Sequence, residues 1–200
     1  GDPCEVIIWR IVPARIVCRF KIDMKLVHAV DVCKFTRDDS TLIHAVFVGI
    51  DAMDRDLIMV YDVTEYSMNN CKLFTKQISD FHIKRLRYLD HSNPNILVSC
   101  GKDNICFWQV KNKFLTIQPV NLNEHSYNNF FHAIDVLKQK MIVEKKPSGA
   151  HGEKAFNSGD QVADAKGSRN CYFVYVVSSL GFMYLIDYNL GEMKTVLRLH

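Results

Sequence analysis

Short apolar runs, each broken by a polar or glycine-containing turn, recur along the whole chain. The runs are rich in Val, Ile, Phe and Tyr, and the breaks contain Asp, Asn, Gly or Ser. Many short β-branched and aromatic runs at regular spacing are typical of all-β proteins, whereas an amphipathic helix needs apolar residues every three or four positions. The pattern therefore predicts fourteen strands, the first over residues 6–12 and the last over 194–199, and almost no helix.

Several of the apolar runs repeat one ending at a nearly constant spacing. An aromatic residue follows three apolar residues at Trp9, Tyr61 and Trp108, which lie 52 and 47 positions apart. Ile186 ends a fourth run of this shape, and its distance of 78 positions from Trp108 falls to 47 once the 31-residue polar stretch 139–169 is set aside. Because a four-stranded propeller blade takes about 40 to 45 residues, the repeat predicts a β-propeller.

At these positions the chain resembles the WD-repeat family. In that family the third strand of a blade ends in an aromatic residue followed by Asp, as Tyr61 and Asp62 do, and the preceding turn carries an Asp, as at Asp103. The chain departs from the family where residues 79–81 replace a Gly-His pair and where Gly181 replaces the turn Asp. The resemblance implies a structural blade network of hydrogen bonds and packed rings, formed by Trp9, Tyr61, Asp62, Ser99, Asp103 and Trp108.

The repeat also divides the chain into blades. It predicts a half blade at 5–22, three blades at 28–78, 80–122 and 128–200, and a flexible basic insert at 139–169 inside the last of them. Closed propellers have at least four blades, so about three and a half blades leave two large apolar faces uncovered. We expect the chain to be part of a longer protein, in which the remainder of the same propeller covers these faces.

A closer resemblance is carried by residues 97–125. Cys100, Gly101 and Lys102 are followed by an aromatic-Trp pair, and the stretch 119–125 reads Pro-Val-x-Leu-x-Glu-His. These motifs resemble the microtubule-associated WD-repeat proteins, more distantly the echinoderm microtubule-associated protein-like family. They are most similar to the centriolar and ciliary inner-junction WD-repeat proteins of the proteome-of-centriole type, which share the 119–125 stretch and a final blade without Trp.

That resemblance implies a non-enzymatic scaffold in the cytoplasm and cytoskeleton, at a ciliary or flagellar axoneme or at a centriole. Its partners would be tubulin or the microtubule together with axonemal or centriolar neighbours. The alternative is a general WD-repeat adaptor of a cytosolic multiprotein complex without a microtubule role.

Charge adds a second candidate feature. The 200 residues carry 25 Lys and Arg against 22 Asp and Glu, a net charge of +3, which is too small to indicate a nucleic-acid partner. The segment 138–170 alone holds seven basic and four acidic residues, so it carries the whole excess. Acidic tubulin surfaces would attract such bases through a salt-dependent interaction.

Two groups of basic residues are candidates for partner binding. Strand alternation places Arg85 and Arg87 on one face and Lys84 on the other. The alternatives, charges paired at a blade edge and a merely solvated insertion, remain open at this point. The candidates are Lys84, Arg85, Arg87, Lys138, Lys140, Lys145, Lys146, Lys154, Lys166 and Arg169.

Other function classes find no support in the sequence. No apolar run is long enough for a bilayer helix, so no membrane association is expected. The seven cysteines form no Cys-x-x-Cys pair, which favours a reducing compartment, and the eight histidines are scattered. Gly-rich phosphate loops, nucleophile elbows and zinc motifs are missing from the sequence. The sequence thus predicts no enzyme, no catalytic residue, no cofactor and no metal site.

Overall fold

The computed structural model describes residues 3–142 and 168–199. In that part of the chain the secondary structure is almost entirely β, with single-turn 3-10 helices at Tyr66–Met68 and Asn123–His125. The fourteen strands of the described residues are β1 Cys4–Arg10, β2 Arg15–Ile22, β3 Leu26–Arg37, β4 Ser40–Ile50, β5 Asp56–Glu65, β6 Asn70–Ile78, β7 Ile83–Asp90, β8 Asn93–Gly101, β9 Ile105–Lys111, β10 Phe114–Pro119, β11 Phe131–Ile142, β12 Ser168–Ser178, β13 Phe182–Asp187 and β14 Glu192–Arg198.

The strands form four separate antiparallel sheets, each built from consecutive strands. Sheet 1 contains β1 and β2, sheet 2 contains β3 to β6, sheet 3 contains β7 to β10, and sheet 4 contains β11 to β14. Within each four-stranded sheet every strand pairs with the next one along the chain, so each sheet is a meander. The first strands β3, β7 and β11 lie beside one another, which brings the sheets together face to face in chain order.

Three apolar cores lie between successive sheets. Alternate residues of a strand point to opposite faces, so one sheet can serve two cores. On β5, Ile58 and Val60 pack against sheet 3, whereas Met59 and Tyr61 pack against sheet 1. A third core joins sheets 3 and 4. This two-sided burial explains why the central strands read as nearly continuous apolar runs.

Two glycines mark the same point in successive sheets. A Cβ on Gly49, near the end of β4, would lie 1.9 Å from the carbonyl oxygen of Leu26. A Cβ on Gly101, at the end of β8, would lie 1.7 Å from the carbonyl oxygen of His82. Since neither space holds a methyl group, only glycine allows the second strand to approach the first there. The structural repeat thus extends to individual backbone contacts.

Each predicted strand overlaps an observed strand, but the hairpin of sheet 4 is longer than predicted. Residues 139–142 and 168–169, which were predicted to lie in the flexible insert, belong to β11 and β12. Gln139 pairs with Cys171 and Ile142 pairs with Ser168. The polar residues 138–140 lack the apolar pattern by which the strands were predicted. They can still extend the hairpin, because main-chain pairing does not require apolar side chains. The middle of the predicted insert, 143–167, lies outside the described residues.

Candidate protein-interaction surfaces

The indole of Trp108 lies inside the core between sheets 2 and 3. Its Nε1 donates a hydrogen bond of 2.8 Å to the Oγ of Ser99 on the neighbouring strand β8. Trp108 is 2% exposed and Ser99 is fully buried. A buried indole N–H needs an acceptor, and Ser99 supplies it without opening the core to water.

Asp103 belongs to a different polar contact. Its Oδ1 accepts a hydrogen bond of 2.7 Å from the backbone N–H of Asn129, and its own N–H donates to the Asn129 carbonyl at 2.8 Å. Asp103 has a positive φ of 59° in the turn between β8 and β9, a conformation that Asp tolerates. The turn Asp therefore ties sheet 3 to the loop that precedes sheet 4, rather than to Ser99 and Trp108.

Tyr61 and Asp62 occupy two environments on β5. The Tyr61 ring packs between sheets 1 and 2, with its centroid 5.3 Å from Phe20 and 5.9 Å from Phe47. The Asp62 Oδ1 accepts a hydrogen bond of 2.9 Å from the Thr64 N–H, two residues along its own strand. Tyr61 thus takes an interior position, and Asp62 fixes the local end of β5.

Trp9 differs from the packed position that the repeat suggests. Its side chain is 59% exposed, although it stands where Trp108 stands in sheet 3. Trp108 is buried against sheet 2, but no sheet precedes sheet 1 among the described residues, and β1 has no inner neighbouring strand there. Trp9 therefore has no packed network among the described residues, and its place in the blade network stays a prediction.

Two of the basic candidates are engaged between sheets. Arg87 Nη1 lies 2.7 Å from Asp135 Oδ1, which joins β7 to β11. Lys138 Nζ lies 2.6 Å from Asp90 Oδ2 and 5.7 Å from the centre of the Tyr172 ring. These two cations therefore form part of the contact between sheets 3 and 4. This matches the alternative in which basic residues are paired at a blade edge.

The remaining described candidates are more accessible. Lys84 and Arg85 are exposed on β7, where a register shift between Ile83 and Arg85 interrupts the regular alternation. Arg85 contacts only carbonyl oxygens, those of His28 at 3.5 Å and Lys84 at 3.3 Å. Lys140 is exposed on β11. Among the candidates that the structure describes, Lys84 and Arg85 are exposed and have no acidic partner.

The other basic candidates belong to the predicted insert. Arg169 lies on β12, where it pairs with Met141. Lys145, Lys146, Lys154 and Lys166 lie outside the described residues. Their role as partner-binding residues stays a prediction.

A partly buried carboxylate that no sequence motif indicated links sheets 3 and 4. The Oδ2 of Asp90 accepts hydrogen bonds from Lys138 and, at 2.8 Å, from the Tyr172 hydroxyl. Its Oδ1 accepts from the N–H and hydroxyl of Ser92 at 2.9 and 2.6 Å. Burial raises the pKa of Asp90, but these hydrogen bonds outweigh it and hold that pKa well below its usual range. Lys138 and Tyr172 lie 48 and 82 positions from Asp90 in the sequence, so no local pattern predicts these contacts.

Cysteine thiols also bridge successive sheets. Cys33 Sγ donates to the His91 carbonyl at 3.0 Å, and Cys100 Sγ donates to the Phe131 carbonyl at 3.4 Å. Burial raises the pKa of both thiols to about 12, so they remain protonated donors at neutral pH. These cysteines are therefore structural.

An apolar groove opens beside sheet 1. It has a volume of about 360 Å³ and lies between β1 and the first strands of sheet 2. Trp9, Val30 and Val32 are each about half exposed along it. This is the first of two places where apolar strand residues lack a covering sheet among the described residues.

The second open face belongs to sheet 4. Val174 and Val176 point into the core with sheet 3, so their neighbours Phe173, Tyr175 and Val177 face the opposite side. These three residues are only half-buried. Both ends of the stack of sheets thus present apolar surface of the kind that the internal cores bury.

The described residues contain neither a cluster of metal-ligating side chains nor a membrane-spanning helix. No group of three or more His, Cys, Asp or Glu side chains there is arranged to hold a metal ion. Among the same residues, no helix has the length and apolar character needed to cross a membrane.

The stacked four-stranded meanders give the chain the fold of a β-propeller segment. The crystal structure of the Myceliophteria thermophila Cps50 (Swd1) β-propeller domain superposes on 98% of this chain with a TM-score of 0.60 and 10% identity. The chain spans about half, 49%, of that domain. The predicted all-β propeller class is therefore confirmed.

Sequence comparison gives a second likeness. WD repeat-containing protein 90 of Xenopus tropicalis is 26% identical over 131 residues, which are 65% of this chain and 7% of that protein. No protein-family model matches the chain. The likeness supports the WD-repeat character of the propeller, and this chain spans only a small part of that relative.

Proposed function

We propose that this propeller segment belongs to a non-enzymatic WD-repeat scaffold that binds other proteins in a microtubule-based structure, such as a cilium, axoneme or centriole. The run from Cys100 to His125 carries the proposal, because its motifs resemble those of microtubule-associated WD-repeat proteins. The likeness to WD repeat-containing protein 90 supports the repeat class.

The scaffold role rests on how the described residues use their polar groups. Buried carboxylates and thiols such as Asp90 and Cys33 hold neighbouring sheets together through hydrogen bonds. Groups committed in this way are not available for acid–base or nucleophilic chemistry. The exposed strand edges and loops of a propeller offer protein-binding surface instead.

Lys84 and Arg85 are the basic residues that we propose contact an acidic partner surface. Both are exposed on β7, and neither has an acidic partner among the described residues. Arg87 and Lys138, by contrast, already neutralise Asp135 and Asp90. An acidic tubulin surface would attract Lys84 and Arg85, with an attraction that salt weakens.

Cosedimentation of the full-length protein with stabilised microtubules tests this proposal. We expect pelleting at low salt that decreases as salt is added, and weaker pelleting of the Lys84→Glu/Arg85→Glu double variant. The matched control is Lys111→Glu/Lys113→Glu, which reverses the same charge at the exposed turn between β9 and β10. Failure to pellet, together with absence from purified axonemes, would contradict the proposal, whereas equal loss in both variants would contradict the assignment to β7.

A further inference from the structure

Two cysteines from different sheets lie in contact where sheet 1 meets sheet 2. Cys18 on β2 and Cys71 on β6 have their Sγ atoms 3.7 Å apart, although they are 53 positions apart in the sequence. Cys18 is 3% exposed, while Cys71 is only partly buried. The two thiols are free in this structure.

A local hydrogen-bond network holds this pair in place. Asn69, with a positive φ of 57°, ends the 3-10 helix before β6. Its Oδ1 accepts from Cys18 Sγ at 3.2 Å and from the Arg19 N–H at 3.4 Å. The same side chain therefore fixes β2 against the start of β6, which keeps the two sulfur atoms close.

A covalent link between Cys18 and Cys71 would add to the contacts that already join sheet 1 and sheet 2. Apolar packing of residues such as Val6, Ile8 and Phe20 attaches sheet 1 to sheet 2. The groove beside β1 leaves its inner edge without a covering strand among the described residues.

We propose that Cys18 and Cys71 form a reversible disulfide that fastens sheet 1 to sheet 2 under oxidising conditions. The oxidant is a small disulfide such as glutathione disulfide. The more accessible Cys71 thiolate attacks one sulfur of that disulfide and releases one glutathione thiol. Cys18 then attacks the Cys71 sulfur and displaces the second glutathione, so the protein loses two hydrogens and the oxidant becomes two thiols.

The environment of the two cysteines indicates that their disulfide forms slowly. Burial, together with the contact to Cys18 and the nearby Asp62 carboxylate, raises the pKa of Cys71 to about 12. The thiolate is the attacking species, so little of the pair reacts at neutral pH without a sustained excess of oxidant. The other buried cysteines, such as Cys33 and Cys106, lie in separate strands of the core between sheets 2 and 3.

Peptide mapping of the full-length protein tests the link. The folded protein is incubated with glutathione disulfide, its free thiols are blocked, and it is digested with trypsin. We expect one dominant new product, in which a disulfide joins the peptide 16–19 to the peptide 56–72. Dithiothreitol should then separate the two peptides. Hydrogen exchange of the β1 and β2 amides should slow in the oxidised protein, because the link opposes their detachment.

Matched variants separate this pair from general cysteine oxidation. Cys18→Ser and Cys71→Ser should each abolish the linked peptide, whereas Cys33→Ser and Cys106→Ser should leave it unchanged. A product in which Cys71 carries only glutathione, or one in which several cysteine pairs are linked equally, would overturn the proposal. Because this experiment does not involve microtubules, its result is independent of the proposed cellular role.

Discussion

Trp108 donates its indole N–H to Ser99 across 2.8 Å within the core between sheets 2 and 3. The contact combines a large buried ring with a satisfied polar group. Packing and hydrogen bonding can be separated here by substitution, because the two groups belong to neighbouring strands of one sheet.

Trp108→Ala is expected to lower the free energy of unfolding by about 3 to 5 kcal/mol, since it leaves a cavity where the indole packs. Ser99→Ala should lower it by about 1 to 3 kcal/mol, because the buried N–H loses its acceptor. Denaturant unfolding of both variants measures these values. Tyr127→Ala provides the control, since Tyr127 is 87% exposed; equal losses for Trp108→Ala and Tyr127→Ala would contradict the burial of Trp108.

Asp90→Asn should destabilise the junction of sheets 3 and 4 by about 1 to 2 kcal/mol, because Lys138 and Tyr172 lose a charged acceptor. The lowered pKa of Asp90 gives this contribution a pH dependence. A carboxyl whose pKa is lower in the folded than in the unfolded state contributes fully above the unfolded value, about 4. The contribution is then lost as acid protonates the folded carboxylate.

The difference in unfolding free energy between the wild type and Asp90→Asn should therefore begin to shrink below about pH 4 and close only in stronger acid. Asp135→Asn is the control, since this carboxylate pairs with Arg87 but is 78% exposed. Such an exposed pair contributes about 0 to 1 kcal/mol. A larger loss of stability in Asp135→Asn than in Asp90→Asn would contradict the conclusion that Asp90 contributes more to the junction of sheets 3 and 4.

Tyr88→Phe is expected to be neutral or to stabilise the protein by about 1 kcal/mol. Tyr88 is 1% exposed, and its hydroxyl has no hydrogen-bond partner among the described residues. Removing a buried polar group without a partner relieves its desolvation cost, while the ring keeps its packing. Thermal unfolding measures the change; a loss above about 1 kcal/mol would show that the hydroxyl has a partner.

His44 should make the fold sensitive to mild acid. It is buried between the rings of Phe35 and Phe74, at centroid distances of 4.9 and 4.7 Å. Burial lowers the pKa of His44; Asp62 partly opposes this effect and Arg37 adds to it. The unfolded chain therefore takes up a proton near 6.5, at a pH where the folded protein still excludes it.

Stability should fall accordingly as the pH drops from about 7 to about 5, and it should fall less in His44→Leu. Chemical unfolding at a series of pH values measures this difference. His132→Leu, a change at an exposed histidine, is the control. Parallel pH profiles for the wild type and His44→Leu would show that His44 does not carry the effect.

Replacement of residues 143–167 by a short turn is expected to leave the fold intact. The flanking strands already meet at the pair Ile142 and Ser168, and antiparallel strands are readily joined by two to five residues. Circular dichroism and thermal unfolding of the shortened full-length protein check this. A large drop in melting temperature would mean that the replaced segment packs against the propeller.

The strand order could be predicted from the sequence because short apolar runs and a repeat near 47 residues are local, periodic signals. The internal core positions of Trp108 and Tyr61 followed from the same repeat. Contacts between sheets could not be predicted, since pairs such as Lys138 with Asp90 join residues that are close only after folding. The exposure of Trp9 was missed for a related reason: burial depends on a neighbouring strand, not on the residue's own motif.

Proximity labelling in ciliated cells, with the full-length protein as bait, tests the proposed scaffold role most directly. We expect tubulin and axonemal or centriolar proteins to lead the labelled set, and the bait to remain with purified axonemes. A labelled set dominated by a cytosolic assembly, with the bait absent from axonemes, would contradict the microtubule role and favour the general adaptor.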